Sequence, residues 1–323
     1  MSFRDIKGQD SAVNFLKRAV ENDRAAHAYI FTGPAGVGKS LTAVNFAKLL
    51  NCSSESGEKP CDECSSCRKI GASNHPDVFL LKPEKEGSSI GIGRVREVIK
   101  NIGLKPYEAK KKVYIIDGAA SLTEEAQNAL LKTLEEPPSD SVIIFIAESI
   151  GDLFPTIESR SQVLKFYPLK VDDISLVLRK VYKLDADRAL FLSRLANGSP
   201  ALALKLNEEK FFERRSAVLK GLVDGSFFDS DFEGLTRPIV RSYLDMMLAW
   251  YRDILIAKAA AGHCGLLLVN ADKSDIIEKE AGRLDFRILD DIIRQIMLTG
   301  SFLEQNVNLK LAMSVLGANI CTK

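Results

Sequence analysis

GPAGVGKS at residues 33–40 is the stretch that decides the fold. It follows the largely hydrophobic segment AHAYIFT (26–32) and leads into SLTAVNFAKLLN (40–51), so a glycine-rich turn lies between a predicted strand and a predicted helix. Strand, glycine loop and helix in this order is the context that a phosphate-binding loop requires. A chance glycine turn is the ordinary alternative, and a full eight-residue match in the right context argues against it.

Each position of this loop has a predicted task. Gly33, Gly36 and Gly38 let the backbone turn tightly, so that its N–H groups point inward at phosphate oxygens. Lys39 is expected to reach the β- and γ-phosphates, and the Ser40 hydroxyl to bind Mg²⁺. The helix that follows adds a favourable N-terminal dipole. The loop therefore predicts a site for ATP and Mg²⁺, and a vestigial loop that stays empty is the alternative.

A second stretch, VYIIDGAASL (113–122), carries a carboxylate at the end of a hydrophobic strand. Asp117 is the natural partner for Mg²⁺ or for its water shell. The next residue is Gly118, where a nucleotide-hydrolysing protein would carry a second acid to orient water. Glu124 and Glu125 fit the opening turn of the next helix better than the part of that acid. The sequence thus predicts slow or absent intrinsic hydrolysis.

The surrounding pattern alternates strands with helices. Further strands are predicted at 77–81, 112–117 and 142–148, and helices at 10–22, 94–104 and 124–136. This alternation predicts a parallel sheet with helices on both faces. Ser121 and Glu124 have the spacing of a capping box at the start of the helix at 124–136.

Strand signals fade beyond about residue 165, and helical spacing takes over. We predict a P-loop α/β domain at 1–165, a small helical domain at 166–207 and a larger helical domain at 208–323. The C-terminal helices fit either a self-contained bundle or an oligomerisation surface. The apolar positions of LDMMLAWYRDILI (244–256) favour core packing for most of that helix.

Four of the six cysteines crowd into one short segment: Cys52, Cys61, Cys64 and Cys67. Four thiolates spaced C-x8-C-x2-C-x2-C suit a tetrahedral structural Zn²⁺ with every position filled. Two overlapping CxxC units also permit a redox dithiol, which is the alternative. Cys264 and Cys321 stand apart, and His75 in NHPD fits a turn better than a metal ligand.

The composition places limits on location and partners. The chain has 323 residues, 46% hydrophobic and 27% charged, with a formal net charge of +1. No apolar run approaches the roughly 20 residues that span a bilayer, and MSFRDIKGQD at the start has no signal-peptide pattern. We expect a cytoplasmic protein that contacts no membrane. A charge of +1 argues against a protein that coats nucleic acid over its whole surface, and it leaves room for local contacts.

Two further motifs, AQNALLKTLEEPP (126–138) and PTIESRS (155–161), join the glycine loop and the four cysteines. Together they resemble the bacterial clamp-loader ATPases, and the resemblance extends over essentially the whole chain. It implies an AAA+ module, namely a P-loop sheet domain with a helical lid, followed by a helical collar domain. It also implies a ring-like complex with gamma/tau-type ATPase subunits and a delta-type subunit, which opens a sliding clamp and loads it onto primed DNA.

The resemblance assigns roles to several residues by position. Arg160 matches the arginine finger that acts in trans on a neighbouring subunit's nucleotide, although taken alone it would be an ordinary surface arginine. Phe3, Ile6, Gly8 and Gln9 match the stretch that packs near adenine in this family. DNA contact is expected mainly within the assembled ring.

This chain also departs from the family's active motors. They carry Asp-Glu where this chain has Asp117-Gly118, and a lid arginine where this chain has Ala201 after Gly-Ser. The strand-end sensor region is AES (147–149), and the usual SRC is SRS. These departures favour a non-motor, stator-like subunit. The alternatives are an active gamma/tau-like ATPase with a substitute acid, and an unrelated P-loop kinase or switch with a zinc module.

Overall fold

A computed structural model describes residues 2–54, 57–85, 87–207, 209–229, 232, 234, 236–260, 268–304 and 307–321. The chain divides into two compact units, Met1–Leu204 and Lys205–Lys323. Within the described ranges, no helix is both long enough and apolar enough to cross a membrane. The predicted boundaries near residues 165 and 207 stay predictions.

The first unit is built on a five-stranded sheet. Its strands are β1 (Ala28–Thr32), β2 (Val78–Leu81), β3 (Lys112–Asp117), β4 (Ser141–Ala147) and β5 (Gln162–Lys165). Every pairing is parallel, and the order across the sheet is β2-β3-β4-β1-β5. The predicted parallel sheet with flanking helices is confirmed. Strand β5 was not predicted, because only Leu164 of its four residues is buried and two adjacent apolar residues between polar ones give no periodic signal.

Helices cover the sheet and follow it along the chain. In the first unit they are α1 (Asp10–Glu21), α2 (Lys39–Asn51), α3 (Ser65–Gly71), α4 (Ile92–Ile102), α5 (Glu124–Glu135), α6 (Pro155–Glu158), α7 (Val171–Lys180), α8 (Ala186–Leu195) and α9 (Pro200–Leu206). The predicted capping box of α5 is wrong. Thr123 is the N-cap and accepts a hydrogen bond from the Ala126 N–H, while the Ser121 hydroxyl donates to the carbonyl of Gly118. Ser121 closes a separate 3-10 turn, so it lies two residues before the cap.

Both faces of the sheet are buried, as continuous apolar strands require. On one face, the ring of Tyr29 packs edge-on against Phe46 of α2, with 5.1 Å between ring centroids. On the other face, Ile30 and Phe145 belong to a core that includes Leu130 of α5. Because β1 lies inside the sheet, the glycine loop that follows it emerges at the carboxyl edge beside the ends of its neighbours.

The second unit is helical. Its helices are α10 (Glu209–Asp224), α11 (Arg237–Ala260), α12 (Ser274–Arg283), α13 (Phe286–Glu304) and α14 (Leu309–Cys321). Met247, Trp250 and Ile254 of α11 are buried, so the segment 244–256 supplies core packing as predicted. The predicted helical C-terminal region is confirmed. Cys264 lies outside the described residues.

Gly33 fixes how closely the glycine loop approaches the strand at the sheet edge. Its φ is +143°, and an added Cβ would overlap the carbonyl oxygen of Phe166, the residue after β5. The N–H of Phe166 donates to the carbonyl of Thr32 at 2.7 Å, which holds the two backbones together at this point. A side chain at position 33 therefore forces the two backbones apart.

We predict that Gly33→Ala lowers the free energy of unfolding by about 1–3 kcal/mol, because the methyl group must displace backbone atoms. Denaturant unfolding followed by circular dichroism measures the change. Gly93→Ala is the matched control, since Gly93 is exposed in α4 and nothing lies within 4 Å of its added Cβ. This control should be neutral or stabilising by up to about 1 kcal/mol, and equal loss in both variants would contradict the prediction.

Candidate functional site

Lys39 is held inside the glycine loop. Its side chain is nearly buried, and its Nζ donates to the carbonyl oxygens of Gly33 and Pro34, the second at 2.6 Å. Burial lowers the pKa of Lys39, while the carboxylates of Glu148 and Asp117 act in the opposite direction. An ammonium held by carbonyl oxygens at the N-terminus of a helix can exchange these hydrogen bonds for hydrogen bonds to an anion.

Ser40 and Asp117, each predicted to bind Mg²⁺, lie in contact with one another. Ser40 is in the first turn of α2 and Asp117 ends β3, and Oγ of the serine donates to Oδ2 of the aspartate at 2.9 Å. A third residue shares that oxygen, because Nζ of Lys82 lies 2.9 Å from Oδ2 of Asp117. The sequence analysis missed Lys82. Its signal was the parallel pairing of β2 with β3, which brings the residues at their carboxyl ends to one edge.

Lys39, Ser40 and Asp117 line a cleft of about 610 Å³ at the carboxyl edge of the sheet, and Lys82 lies beside this lining, paired with Asp117. Glu148 and Asp152 also line it, so two carboxylates besides Asp117 face the cavity. Asp152 already accepts a hydrogen bond from the N–H of Ser149 at 2.9 Å. The loop N–H groups, the ammonium of Lys39 and the Ser40 hydroxyl form a donor set that suits a polyphosphate.

Gly118 has a left-handed backbone, with φ 87° and ψ 46°. A Cβ at this position would lie 3.3 Å from Cδ of Pro83. A residue with a side chain would be strained here on both counts. Position 118 has no acidic side chain, and its backbone conformation also disfavours one.

Helix α9 contributes the uncharged residue Ala201 to the lining of the cleft. The N–H of Ala201, in the first turn of α9, donates to the carbonyl of Gly36 at 3.4 Å, and Ala201 lines the cleft. Helix α9 thus touches the glycine loop through backbone and a methyl group.

Gln9 fastens the N-terminal stretch to the loop. Its buried Nε2 donates to the carbonyls of Val37 and Tyr167, at 3.3 and 2.7 Å. Phe3 and Ile6 are buried in the same stretch. This segment supports the loop from outside, and its predicted contact with adenine stays a prediction.

Arg160 lies just after α6 and does not line the cleft. Its Nη2 is 2.9 Å from Oε1 of Glu135, and its Nη1 donates to the carbonyl of Thr156 and to Oγ of Ser159, both at 3.1 Å. About a third of its side chain is exposed, at 35%. The guanidinium is thus presented at the surface, where another molecule can reach it.

Helix α5 holds the segment that carries this arginine at two points. The buried Gln127 accepts a hydrogen bond from the N–H of Phe154 at 2.9 Å, just before α6, and Glu135 pairs with Arg160. The ion pair joins AQNALLKTLEEPP to PTIESRS, and the hydrogen bond joins it to the residue just before PTIESRS. From the sequence, both motifs indicated only a family resemblance. The contacts show that the first motif also supports the segment that carries Arg160.

The four clustered cysteines come together as predicted. Cys52 caps the end of α2 and Cys64 the start of α3, and all four thiols are free. Their sulfur atoms lie within 4.8 Å of one another. A tetrahedral ion with metal–sulfur bonds of about 2.3 Å spaces its ligands about 3.8 Å apart, so small side-chain adjustments close the set around a metal. The group can hold a metal ion.

Hydrogen bonds inside the cluster set the acidity of two thiols. Burial raises the pKa of Cys64, but donors from Cys67 and Ser53 outweigh burial and bring it to about 6. Burial raises the pKa of Cys67 well above its ordinary value.

Ionic and polar contacts tie the cysteine segment to the rest of the unit. Lys48 of α2 pairs with Asp62 at 2.6 Å, and Lys69 of α3 pairs with Glu108 at 2.7 Å. The buried carboxylate of Asp77 accepts hydrogen bonds from the backbone N–H groups of residues 107–109 at 2.8–3.0 Å. Burial would raise the pKa of Asp77, and these donors outweigh it, so its pKa lies below the ordinary value. The segment is thereby anchored near the β2 edge.

Comparison with known proteins places the chain in a family. Residues 8–170, about half of the chain, match the family described as DNA polymerase III, delta subunit. DNA polymerase III subunit delta' of Bacillus subtilis is 35% identical over 263 residues, which cover 76% of this chain and 77% of that protein. The delta' subunit of Escherichia coli is 27% identical over 269 residues, covering 83% and 80%.

Subunits named gamma/tau are similar over a shorter region. DNA polymerase III subunit gamma/tau of Mycoplasma pneumoniae is 35% identical over 212 residues, which cover 64% of this chain and 30% of that protein. A solved gamma subunit-related protein of Thermotoga maritima aligns with 95% of this chain and 98% of its own length, at 20% identity and a TM-score of 0.47. By the family match and by the delta' relatives that align with most of its length, this chain belongs to the DNA polymerase III delta subunit family.

Proposed function

We propose that this chain is a non-motor subunit of a bacterial clamp loader. The subunit would bind a nucleotide that it hydrolyses slowly or not at all, and it would supply Arg160 to a neighbouring ATPase. One observation carries the proposal: the residue after Asp117 is a glycine whose left-handed backbone disfavours any side chain. Hydrolysis needs a group that orients the attacking water. Position 118 supplies none.

The glycine loop fits ATP through groups that this chain presents. Lys39 exchanges its carbonyl contacts for phosphate oxygens, and Ser40 and Asp117 complete the polar edge of the cleft. A bound nucleotide would supply charge and order at this edge. The chain's own part is to bind and position the phosphates, which suits assembly better than turnover.

Arg160 is suited to act on a different molecule. It does not line its own cleft and is partly exposed, and α5 fixes the segment that bears it. An arginine finger stabilises the charge that develops on a transferred phosphoryl group and is worth about 10³–10⁵ in rate. Arg160 would therefore speed hydrolysis in a neighbouring subunit that has an intact water-orienting acid.

The proposed partners follow from the relatives. Those are delta' and gamma/tau subunits of DNA polymerase III, so we propose gamma/tau-type ATPase subunits and a delta-type subunit as neighbours. The complex would load a sliding clamp onto primed DNA. With a net charge of +1, this chain would contribute little phosphate affinity alone, and salt dependence would be a property of the assembled complex.

An active ATPase is the second candidate, and one observation favours it. Glu148 follows β4, the strand beside β3, and lines the cleft together with Asp152. Either carboxylate is a candidate substitute for the missing acid. An unrelated P-loop kinase finds no support, since the chain belongs to a polymerase subunit family.

We further propose that the four cysteines hold a structural Zn²⁺. Four sulfur ligands leave no open position for a catalytic water. A redox dithiol needs only two of them, whereas all four sulfurs converge within 4.8 Å. The metal would order a segment whose own apolar core is small.

Hydrolysis by the lone chain separates the first two candidates. We predict that the purified protein, in a single-turnover assay with radiolabelled ATP, releases phosphate no faster than its Lys39→Ala variant. Clear turnover that disappears in Lys39→Ala would overturn the non-motor proposal. Glu148→Gln and Asp152→Asn would then show which carboxylate acts.

Replacement of Arg160 tests the finger. In a reconstituted complex, Arg160→Ala should slow single-turnover hydrolysis at the adjoining site by about 10³-fold or more. Total hydrolysis should fall by less, because sites that do not face this subunit keep their own arginines.

Assembly, followed by gel filtration, should survive this change because the side chain is partly exposed. Arg96→Ala is the matched control, since it removes an exposed arginine from α4. Unchanged hydrolysis in Arg160→Ala would refute the finger while leaving the family assignment intact.

Metal analysis tests the zinc proposal. Protein purified without chelator should contain about one Zn²⁺ per chain, and Cys64→Ser should lose it and unfold at a lower temperature. Cys264→Ser, which changes a cysteine from outside the cluster, should keep the metal. Chelator-free protein that holds no zinc would contradict the assignment.

A further inference from the structure

Lys82 lies where a nucleotide site of this kind would place a divalent cation. The Oδ2 atom of Asp117 accepts a hydrogen bond from Ser40 and pairs with the ammonium of Lys82, each at 2.9 Å. The serine hydroxyl and the strand-end aspartate are the two protein groups that direct Mg²⁺ in P-loop proteins. In this chain, the ammonium of Lys82 pairs with the Oδ2 atom of Asp117 that also accepts the hydrogen bond from Ser40.

The fit of Mg²⁺ to these residues is poor as they stand. Mg²⁺ requires nearly octahedral oxygen ligands at about 2.0–2.1 Å, and a lysine offers three N–H donors with no acceptor. A divalent ion at Ser40 and Asp117 would face the ammonium of Lys82 at close range, and like charges there repel. Gly118 removes a further negative charge that would help to hold the ion.

We propose that Lys82 replaces the divalent cation at this site, so that the loop takes a nucleotide polyphosphate without Mg²⁺. This inference rests on the proposed binding of nucleotide at the glycine loop. Lys39 approaches the phosphates from inside the loop, and Lys82 approaches them from beside the cleft, on the β2 side. The ion pair with Asp117 orients Lys82 for this contact. Ser40 keeps its hydroxyl turned to the aspartate.

The side chain of Lys82 can make this contact. It is about half exposed, at 51%, while Asp117 is 19% exposed. A flexible four-carbon stem lets the ammonium follow phosphate oxygens and remain close to the carboxylate. An ion pair this exposed contributes little to folding stability, so its removal leaves a folded protein for the test.

Nucleotide affinity with and without divalent cation tests the proposal. Calorimetric titration of the full chain with ADP should give binding in EDTA at least as tight as in excess Mg²⁺, because the free ion draws ADP into a complex that the site does not take. Lys82→Met should bind ADP in Mg²⁺ and lose at least about tenfold in EDTA, because the metal then takes up the vacated charge. Lys85→Met, on the same loop, removes the same charge without touching Asp117 and should behave as the unchanged protein does.

Mn²⁺ offers a second readout that involves no turnover. Paramagnetic resonance of free Mn²⁺ in the presence of ADP should show no ion bound at this site by the unchanged chain, and about one ion bound per chain of Lys82→Met. Mn²⁺ bound equally by both proteins would overturn the proposal, as would ADP binding to the unchanged chain that requires Mg²⁺. Absence of ADP binding to the unchanged chain would overturn it too, while the role of Arg160 would still be decided by hydrolysis in the complex.

Discussion

The parallel pairing of β1 with β4 is the constraint on which the first unit depends. It brings the carboxyl ends of β1, β3 and β4 to one edge, where the N–H of Gly33 donates to the carbonyl of Glu148 at 3.2 Å and that of Gly118 to Ile146 at 3.2 Å. The glycine loop, the strand-end aspartate and the cleft between them all follow from this alignment. Side chains far apart in sequence thus meet because the backbone ladder fixes their depth.

The same edge connects the cleft with the arginine at the surface. The chain from Glu148 to Arg160 first lines the cleft, at Glu148 and Asp152, and then turns through α6. Gln127 and Glu135 of α5 hold the far part of this segment. The sheet and α5 together therefore hold the Arg160 guanidinium in a defined place at the surface.

Sequence reasoning recovered what repeats locally and missed what depends on neighbours. Strand β3 was predicted to the residue because four consecutive apolar residues, 113–116, lie between Lys112 and Asp117, and the cysteine cluster because its spacing is short. Strand β5 was missed since its register comes from β1, and the capping box failed because Ser121 closes a 3-10 turn and Thr123 caps the helix instead. Lys82 and Glu135 each act through a residue that only the tertiary fold brings near.

Charge connects two features at the edge of the cleft, the glycine at position 118 and the lysine at position 82. A hydrolytic site concentrates negative charge to hold a divalent cation and orient water, and the cation in turn offsets the phosphates. Loss of the acid at position 118 weakens the hold on a cation, and a lysine beside Asp117 supplies a positive charge that cannot diffuse away. The lysine can offset phosphate charge, but it neither coordinates nor activates a water as a metal does. Under the proposals above, Gly118 and Lys82 would both favour binding of phosphates over their hydrolysis, and Arg160 would act on the nucleotide of a neighbouring subunit.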